Sequence, residues 1–475
     1  INNLGAVRIR IRSLIASMNK RMQMNNGKEN KPKEDVSDLG EYEINKVKFT
    51  KKMKEEGYTI LVPQMAPIHF ELLVAALESE GYNVKLLRNC TEHTIETGLK
   101  YVNNDACYPS IITTGQMIEA LESGEYDINK TALIMSQTGG GCRATNYIGF
   151  IRKALKDAGY PNIPIISFNV KGMEKSDGFK ITLPLVVKML RCVVYGDLLQ
   201  KMLLKNRAYE VKKGETQKVY DKWLEKSKNI VKNGNNKEFK ESIYQMVDDF
   251  ENIQLNKKIE KPKVGIVGEI LIKYHPFGNN YIIDVLEQEG AEVVMPDFMG
   301  FVKYMGTSAV TLNKLLKKNK MMADISKLAI KLMDEFEKDA KKALEKSKKG
   351  YLPPCDIWHL EEKVQDVLSI GNQTGEGWFL TAEMMEYIEY GIPNIVCVQP
   401  FACLPNHVVG KGVIKTIRRM YPEANISPID YDPGASQTNQ INRIKLLITV
   451  AKDNLKIKNN VKKYTISNKK VKTKK

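Results

Sequence analysis

The sequence predicts an α/β chain of two similar units with mainly parallel sheets, interrupted by helical insertions. Three observations carry the prediction. Short apolar runs alternate with stretches of helical periodicity, the pattern of strand–helix–strand crossovers. The order of these segments repeats in the two halves, down to the words Glu80-Gly81-Tyr82 and Glu289-Gly290-Ala291. Each half also carries an apolar run that ends in Gln and is followed by a cysteine, at Cys142 and at Cys403.

In the first half, 57–63 reads as a buried strand and 68–80 as a helix stopped by Gly81. The next strand is 83–87, followed by a helix at 111–121, a strand at 132–137, a helix at 147–158 and a strand at 163–168. The second half repeats the series with strand 264–267, helix 279–289, the stop Gly290 and strand 292–295. Helix 379–390, strand 395–399, helix 409–420 and strand 424–429 complete it. Each unit is therefore expected to be Rossmann-like. The predicted domains are a basic N-terminal linker at 1–56, a first unit at 57–200, a helical insertion at 201–260 and a second unit at 261–451. A basic, disordered tail at 452–475 follows. The charged stretches 209–254 and 312–348 read as surface additions, lids or docking arms.

The net charge of +17 is concentrated at the ends: residues 452–475 hold ten Lys against one Asp, and residues 1–57 hold thirteen Lys or Arg against eight acids. The body is left with +3, which argues against nucleic-acid binding as its role and leaves the basic ends as solvated extensions. No apolar run approaches the roughly 18–20 residues a membrane helix needs. The start, Ile1-Asn2-Asn3-Leu4, lacks Met and any secretory apolar segment. The expectation is a cytoplasmic chain, cut from or processed out of something longer. Seven cysteines, an odd number, fit a reducing compartment better than a disulfide framework.

Cys142 stands five residues past Gln137, after Gly139, Gly140 and Gly141, and Cys403 stands four past Gln399. Loops at the carboxyl ends of parallel strands are where ligands bind, because helix N-termini converge there. Cys107, just ahead of helix 111–121, holds a similar place. A helix N-terminus favours a thiolate and can donate N–H groups to cluster sulfides. Three thiolates from separated positions suit a 4Fe-4S cube with one iron open or held by another ligand. The glycines would let backbone approach an inorganic core without Cβ clashes.

The other cysteines have simpler explanations. Cys90, Cys192 and Cys355 read as core, and Cys397, inside a strand, as core with a lesser claim as ligand. The triglycine run lacks the ending of a P-loop and the spacing of a dinucleotide fingerprint. Arg143, Asn146, Asn406 and His407 flank the cysteines and either serve the cofactor or cap helices. His69 and His275, each after the first strand of its unit, read as structural histidines. Gly375-Glu376-Gly377-Trp378 stands where the Cys107 segment stands in the first half, without sulfur, so the site is expected to be asymmetric.

The runs YVNNDACYPSIITTGQ, QTGGGCRATNYIGFIRKAL and QPFACLPNHVVGKGVIK resemble the carboxy-terminal half of the large proteins related to activators of 2-hydroxyacyl-CoA dehydratases. That half is similar in turn to 2-hydroxyglutaryl-CoA dehydratase subunits, benzoyl-CoA reductase subunits and double-cubane cluster proteins. The resemblance covers about residues 57–450. It implies an oxygen-sensitive iron–sulfur protein of an anaerobe, fed low-potential electrons by an ATP-hydrolysing activator for reductive or radical chemistry on a CoA thioester or similar substrate. It implies Cys107, Cys142 and Cys403 as cluster ligands, and a homodimer. A double-cubane cluster would need further thiolates, from Cys397, Cys355 or a partner chain. The phosphate-binding motifs of the actin-like ATPase module are missing, so ATP hydrolysis would belong to another module or chain, and no CoA pocket or acid–base pair is recognisable. Two further readings stay open: a non-catalytic cluster-carrying or activator-docking subunit, and a metal-free small-molecule-binding α/β protein.

Overall fold

Two four-stranded, all-parallel sheets with the same strand order organise the chain. The structure, a computed structural model, describes residues 46–472 apart from 104, 105, 170–173 and 402, together with 11, 12, 14, 15 and 18, and side chains as far as 458. Most of the linker expected at 1–56 therefore lies outside the described residues.

The first sheet comprises β1 (Thr59–Pro63), β2 (Asn83–Leu87), β3 (Thr131–Ser136) and β4 (Ile165–Phe168), in the order β2-β1-β3-β4. The second comprises β5 (Lys263–Gly268), β6 (Glu292–Val294), β7 (Asn394–Pro400) and β8 (Asn425–Tyr431), in the order β6-β5-β7-β8. The two-unit α/β fold expected from the sequence is thus present, with the same reversal of strand order in both units. The central pairs are in register at Ile60 opposite Ala132 and Ile266 opposite Val396. β7 is buried along its whole length, which is why it reads as a continuous apolar run rather than an alternating one.

The crossovers of the first unit are α1 (Pro67–Ser79), α2 (Glu92–Tyr101), α3 (Tyr108–Glu122) and α4 (Tyr147–Asp157). α5 (Leu183–Arg207), α6 (Glu215–Asn233) and α7 (Asn236–Glu251) follow. In the second unit come α8 (Ile270–Tyr274), α9 (Ile282–Gln288), α10 (Phe298–Leu316), α11 (Lys320–Lys346) and α12 (Ile357–Val364). They are followed by α13 (Gly377–Glu389), α14 (Leu404–Val409), α15 (Ile414–Met420) and α16 (Gln437–Lys472). No described helix is long and apolar enough to cross a membrane.

The units share a core. Ile111 and Ile112 of α3 pack in one buried cluster with Val264 and Ile266 of β5 and Leu271 and Ile272 of α8. Burying such side chains stabilises by about 1.5–3 kcal/mol each, so the seam is strongly held. It sets the carboxyl ends of β3 and β7 about a common space.

Four expectations need correction. The stretch 209–254 is not an arm: Trp223 of α6 and Phe239, Ile243, Met246 and Phe250 of α7 are buried against Tyr195 and Leu199 of α5. Their apolar residues recur at helical spacing inside a charged sequence, and that stripe, not the charge, decides their placement. Residue 200, expected to end the first unit, falls inside α5, whose long apolar run continues to Arg207. The helix expected at 409–420 begins only at Ile414, since Val409 ends α14 and the chain turns at Gly410 and through Lys411–Val413. The tail from 452 is helical as far as Lys472, continuing α16 through a Lys-rich segment without Gly or Pro.

Candidate functional site

The repeated Gln residues tie each central strand to its neighbour at the sheet's carboxyl edge. Gln137 accepts from Ser167 Oγ at 2.9 Å and donates to the Thr145 carbonyl at 3.0 Å. Gln399 donates to Asp430 Oδ1 at 2.7 Å, and Lys411 joins the same carboxylate at 2.7 Å. The loops that start from these anchored strand ends carry Cys142 and Cys403.

Cys107, Cys142 and Cys403 each occupy the position immediately before a helical turn: α3, the short 3-10 turn Arg143–Asn146, and α14. The Cys107 sulfur lies 2.6 Å from the Tyr147 hydroxyl at the start of α4. Asn406 Nδ2 donates to Cys403 Sγ at 3.3 Å. Gly139 and Gly140, at φ +75° and +92°, bend the loop ahead of Cys142 through the left-handed region that favours glycine. A Cβ on Gly140 would meet nothing within 4 Å, and one on Gly141 would touch Thr374 of the other unit at 3.5 Å. The triglycine loop of the first unit therefore sits against the second.

Two carboxyls complete the neighbourhood. Glu269, directly after β5, accepts from the Ile272 N–H at 2.8 Å. Glu376, directly before α13, accepts from Ile270 N–H at 2.9 Å and from Asn406 Nδ2. Glu376 is buried and Glu269 half-buried, and both act on the thiols as charged neighbours. Burial, then the neighbouring Glu376, pushes Glu269 up to about 8, and burial raises Glu376 as well. Burial lifts the Cys107 thiol to about 11, against the lowering hydrogen bond from Tyr147, and lifts Cys142 to about 12, where the charges of Glu376, Cys107 and Glu269 add to it. Cys403 moves upward for the same reasons, burial first and then Glu376. At neutral pH the thiols hold their protons, and so does Glu269.

Cys107, Cys142 and Cys403 share Glu269 as a charged neighbour, Cys142 also feels Cys107, and Asn406 touches Cys403. Asn406 Oδ1 is buried without a partner among the described residues. Arg143 and Asn146 are exposed on the turn after Cys142. His407 is half-buried, and burial, then Lys411, lowers its pKa. Cys397 is fully buried in the core on β7, and a Cβ at Gly410 would lie 3.2 Å from its sulfur. Cys192 donates to the Leu72 carbonyl at 3.2 Å, and Cys355 sits against Gly300. His69 pairs with Asp197 at 2.8 Å in the core, and His275 accepts from Gly278 N–H at 3.0 Å. Glu269, Glu376 and Tyr147 were not legible as site residues. The one hint was the Gly-Glu-Gly word at 375–377, placed opposite the Cys107 segment in the repeat.

The donor set of this seam fits an iron–sulfur cluster in kind: three thiols from three loops, two of them already accepting or sharing a hydrogen bond, with open glycine backbone alongside. Among the described residues, no three His, Cys, Asp or Glu side chains converge closely enough to hold a single metal ion. No family model and no curated protein matches the chain.

Proposed function

We propose that the chain is an iron–sulfur protein of the 2-hydroxyacyl-CoA dehydratase and benzoyl-CoA reductase type, with Cys107, Cys142 and Cys403 as the cluster ligands. The observation that carries the reading is that these three cysteines each open a helical turn and share Glu269 as a charged neighbour. A cube spreads its thiolates further apart than a single ion does, which suits thiols gathered around a space rather than on a point.

Bound there, a 4Fe-4S cluster would supply one-electron transfer at low potential. The residues of the chain supply the rest. Tyr147 O–H and Asn406 Nδ2–H point at two of the sulfurs and would stabilise their ionised form. Glu269, protonated near neutrality, holds a proton at its carboxyl beside the site. The shared apolar core behind α3 and α8 excludes water from one side. The electron donor in this reading is an ATP-hydrolysing activator, and the acceptor a CoA thioester or a comparably hard-to-reduce molecule.

A second reading, a metal-free small-molecule-binding α/β protein, draws on the lack of a close metal-binding trio among the described residues. Anaerobic purification with iron and acid-labile sulfide analysis separates the two. The cluster reading expects about four of each per chain, lost in Cys107→Ser, Cys142→Ser and Cys403→Ser proteins that still fold. Iron-free protein after reconstitution, or full iron content in all three variants, rules it out.

A further inference from the structure

α13 is mostly apolar and buried, yet it carries three polar side chains on one flank. Glu386 and Tyr387 stand three and four residues after Glu383, so the three share a face. That face opens on a cleft of about 380 Å³ just past β6, lined also by Asp297, by Lys201 of α5 and by the loop 352–355. Met295, Pro353, Phe379 and Tyr390 give the cleft apolar walls. Its charges do not balance. Lys201 donates to Asp297 Oδ2 at 3.0 Å and to the Leu352 carbonyl at 2.8 Å, and Lys273 pairs with Glu383 at 3.0 Å. Lys303 is held by Asp334 and Glu337, and Lys363 by Glu389. The Glu386 carboxyl has no ion pair and no hydrogen bond among the described residues. The Tyr387 side chain is 3% exposed, and its hydroxyl is also without a partner among the described residues, although Glu383, Asp297 and Glu386 act on it as charged neighbours. A buried hydroxyl left unpaired is costly, so the two groups mark a place for a donor that the chain does not supply.

We propose that this cleft binds a small primary ammonium with a short apolar tail, held by the Glu386 carboxylate and the Tyr387 hydroxyl oxygen. An ammonium group brings three N–H donors, and Asp297 Oδ1, which Lys201 leaves free, is a third acceptor on the cleft wall. Asp297, Glu383 and Glu386 against Lys201 and Lys273 leave one negative charge in excess, which a monocation neutralises. A divalent metal does not suit the site, since among the described residues no three His, Cys, Asp or Glu side chains converge on a point. A quaternary ammonium has the charge but no N–H for Glu386 and Tyr387. The apolar walls take the tail, the usual division of labour in a small-molecule pocket. Near neutrality Glu386 itself carries a proton, because burial, then Asp297 and Glu383, raise it to about 8 against the opposing Lys201 and Lys363. The ammonium takes the place of that proton, which passes to solvent, so binding is linked to proton release below about pH 8.

The inference is independent of the cluster reading, and its test needs neither metal nor turnover. Titration calorimetry of n-butylammonium chloride into the full chain, above the Glu386 value of about 8, is expected to show saturable binding. Glu386→Gln keeps the shape of the side chain and is expected to weaken binding about tenfold or more, and Tyr387→Phe several-fold, with circular dichroism as in the parent. Tetramethylammonium, which lacks N–H donors, and n-butanol, which lacks charge, are expected not to bind. Below about pH 8, heats in buffers of different ionisation enthalpy should report the released proton. Absence of saturable binding to the parent overturns the proposal, and so does binding that both substitutions leave unchanged. Equal affinity for tetramethylammonium overturns it as well, since charge alone would then account for the effect.

Discussion

The Tyr147 hydroxyl and the Cys107 sulfur, from the starts of two different helices, lie 2.6 Å apart in the buried core of the first unit. The phenol O–H can donate to an ionised sulfur, and this contact pulls the Cys107 pKa down while burial pushes it up. Tyr147 itself is moved far upward by burial and the neighbouring Cys107, so it remains a donor at any working pH.

Tyr147→Phe should therefore lower stability by about 1 kcal/mol, the net worth of one buried hydrogen bond. A double-mutant cycle with Cys107→Ala in urea should return a coupling of similar size, since each change alone removes the same contact. Alkylation of Cys107 at alkaline pH, followed by mass spectrometry, should slow in the Phe variant. A coupling near zero together with unchanged alkylation would mean that the two groups touch without sharing a proton.

The position of Cys107 depends on how closely α2 and α3 pack. A Cβ on Gly115 would stand 2.0 Å from the Thr94 carbonyl oxygen, and one on Gly98 would stand 2.2 Å from that of Ile111. The two glycines thus let the helices cross with backbone nearly in contact. Gly115→Ala should force them apart and cost roughly 1–3 kcal/mol, the usual range for overpacking. Because Cys107 opens α3, the proposed cluster role expects the same change to reduce iron loading. Gly124→Ala, where the added methyl meets nothing, is the control for helix-end strain alone. Equal urea midpoints for the two variants would remove the close approach as a determinant.

That crossing also shows where the sequence stops being legible. β2 is found at 83–87, the limits its alternation predicts, because one face of it is buried and the other is not. α2 is harder to read: beside the apolar Ile95 and Leu99, its closest approaches to α3 are at Gly98 and Thr94, which no hydrophobic period marks. α6 and α7 misled in the other direction, since abundant Lys and Glu obscured the few large residues, Trp223 and Phe239 among them, that bury them. The cysteines stood out because their placement is repeated and their chemistry is rare. Glu269 and Glu376 did not, because single acids after a strand or before a helix are common, and only the folding of the two units onto each other makes them neighbours of the thiols.

A half-buried acid away from the thiols, Glu386, has a consequence for pH. Glu386 of α13 lines a cleft of about 380 Å³ with Asp297, Glu383, Lys201 and Tyr387. Lys201 pairs with Asp297 at 3.0 Å, Lys273 with Glu383 at 3.0 Å, and Lys363 with Glu389, while Glu386 has no ion pair of its own among the described residues. Burial, then Asp297 and Glu383, raises it to about 8. In the unfolded chain it titrates near 4.5. Between these values the folded state keeps a proton that the unfolded state has lost, so stability falls as pH rises from about 4.5 to 8 and is level above that window. His275, lowered to about 4 by burial, acts in the opposite sense between about 4 and 6.5, so the clearest decline is expected from pH 6.5 to 8. Glu386→Gln removes the ionisation and keeps the shape. It should be close to neutral at pH 5 and raise stability by roughly 2 kcal/mol at pH 9. Urea unfolding at the two pH values reads this directly, and an equal effect at both would show that Glu386 finds a counter-charge in solution.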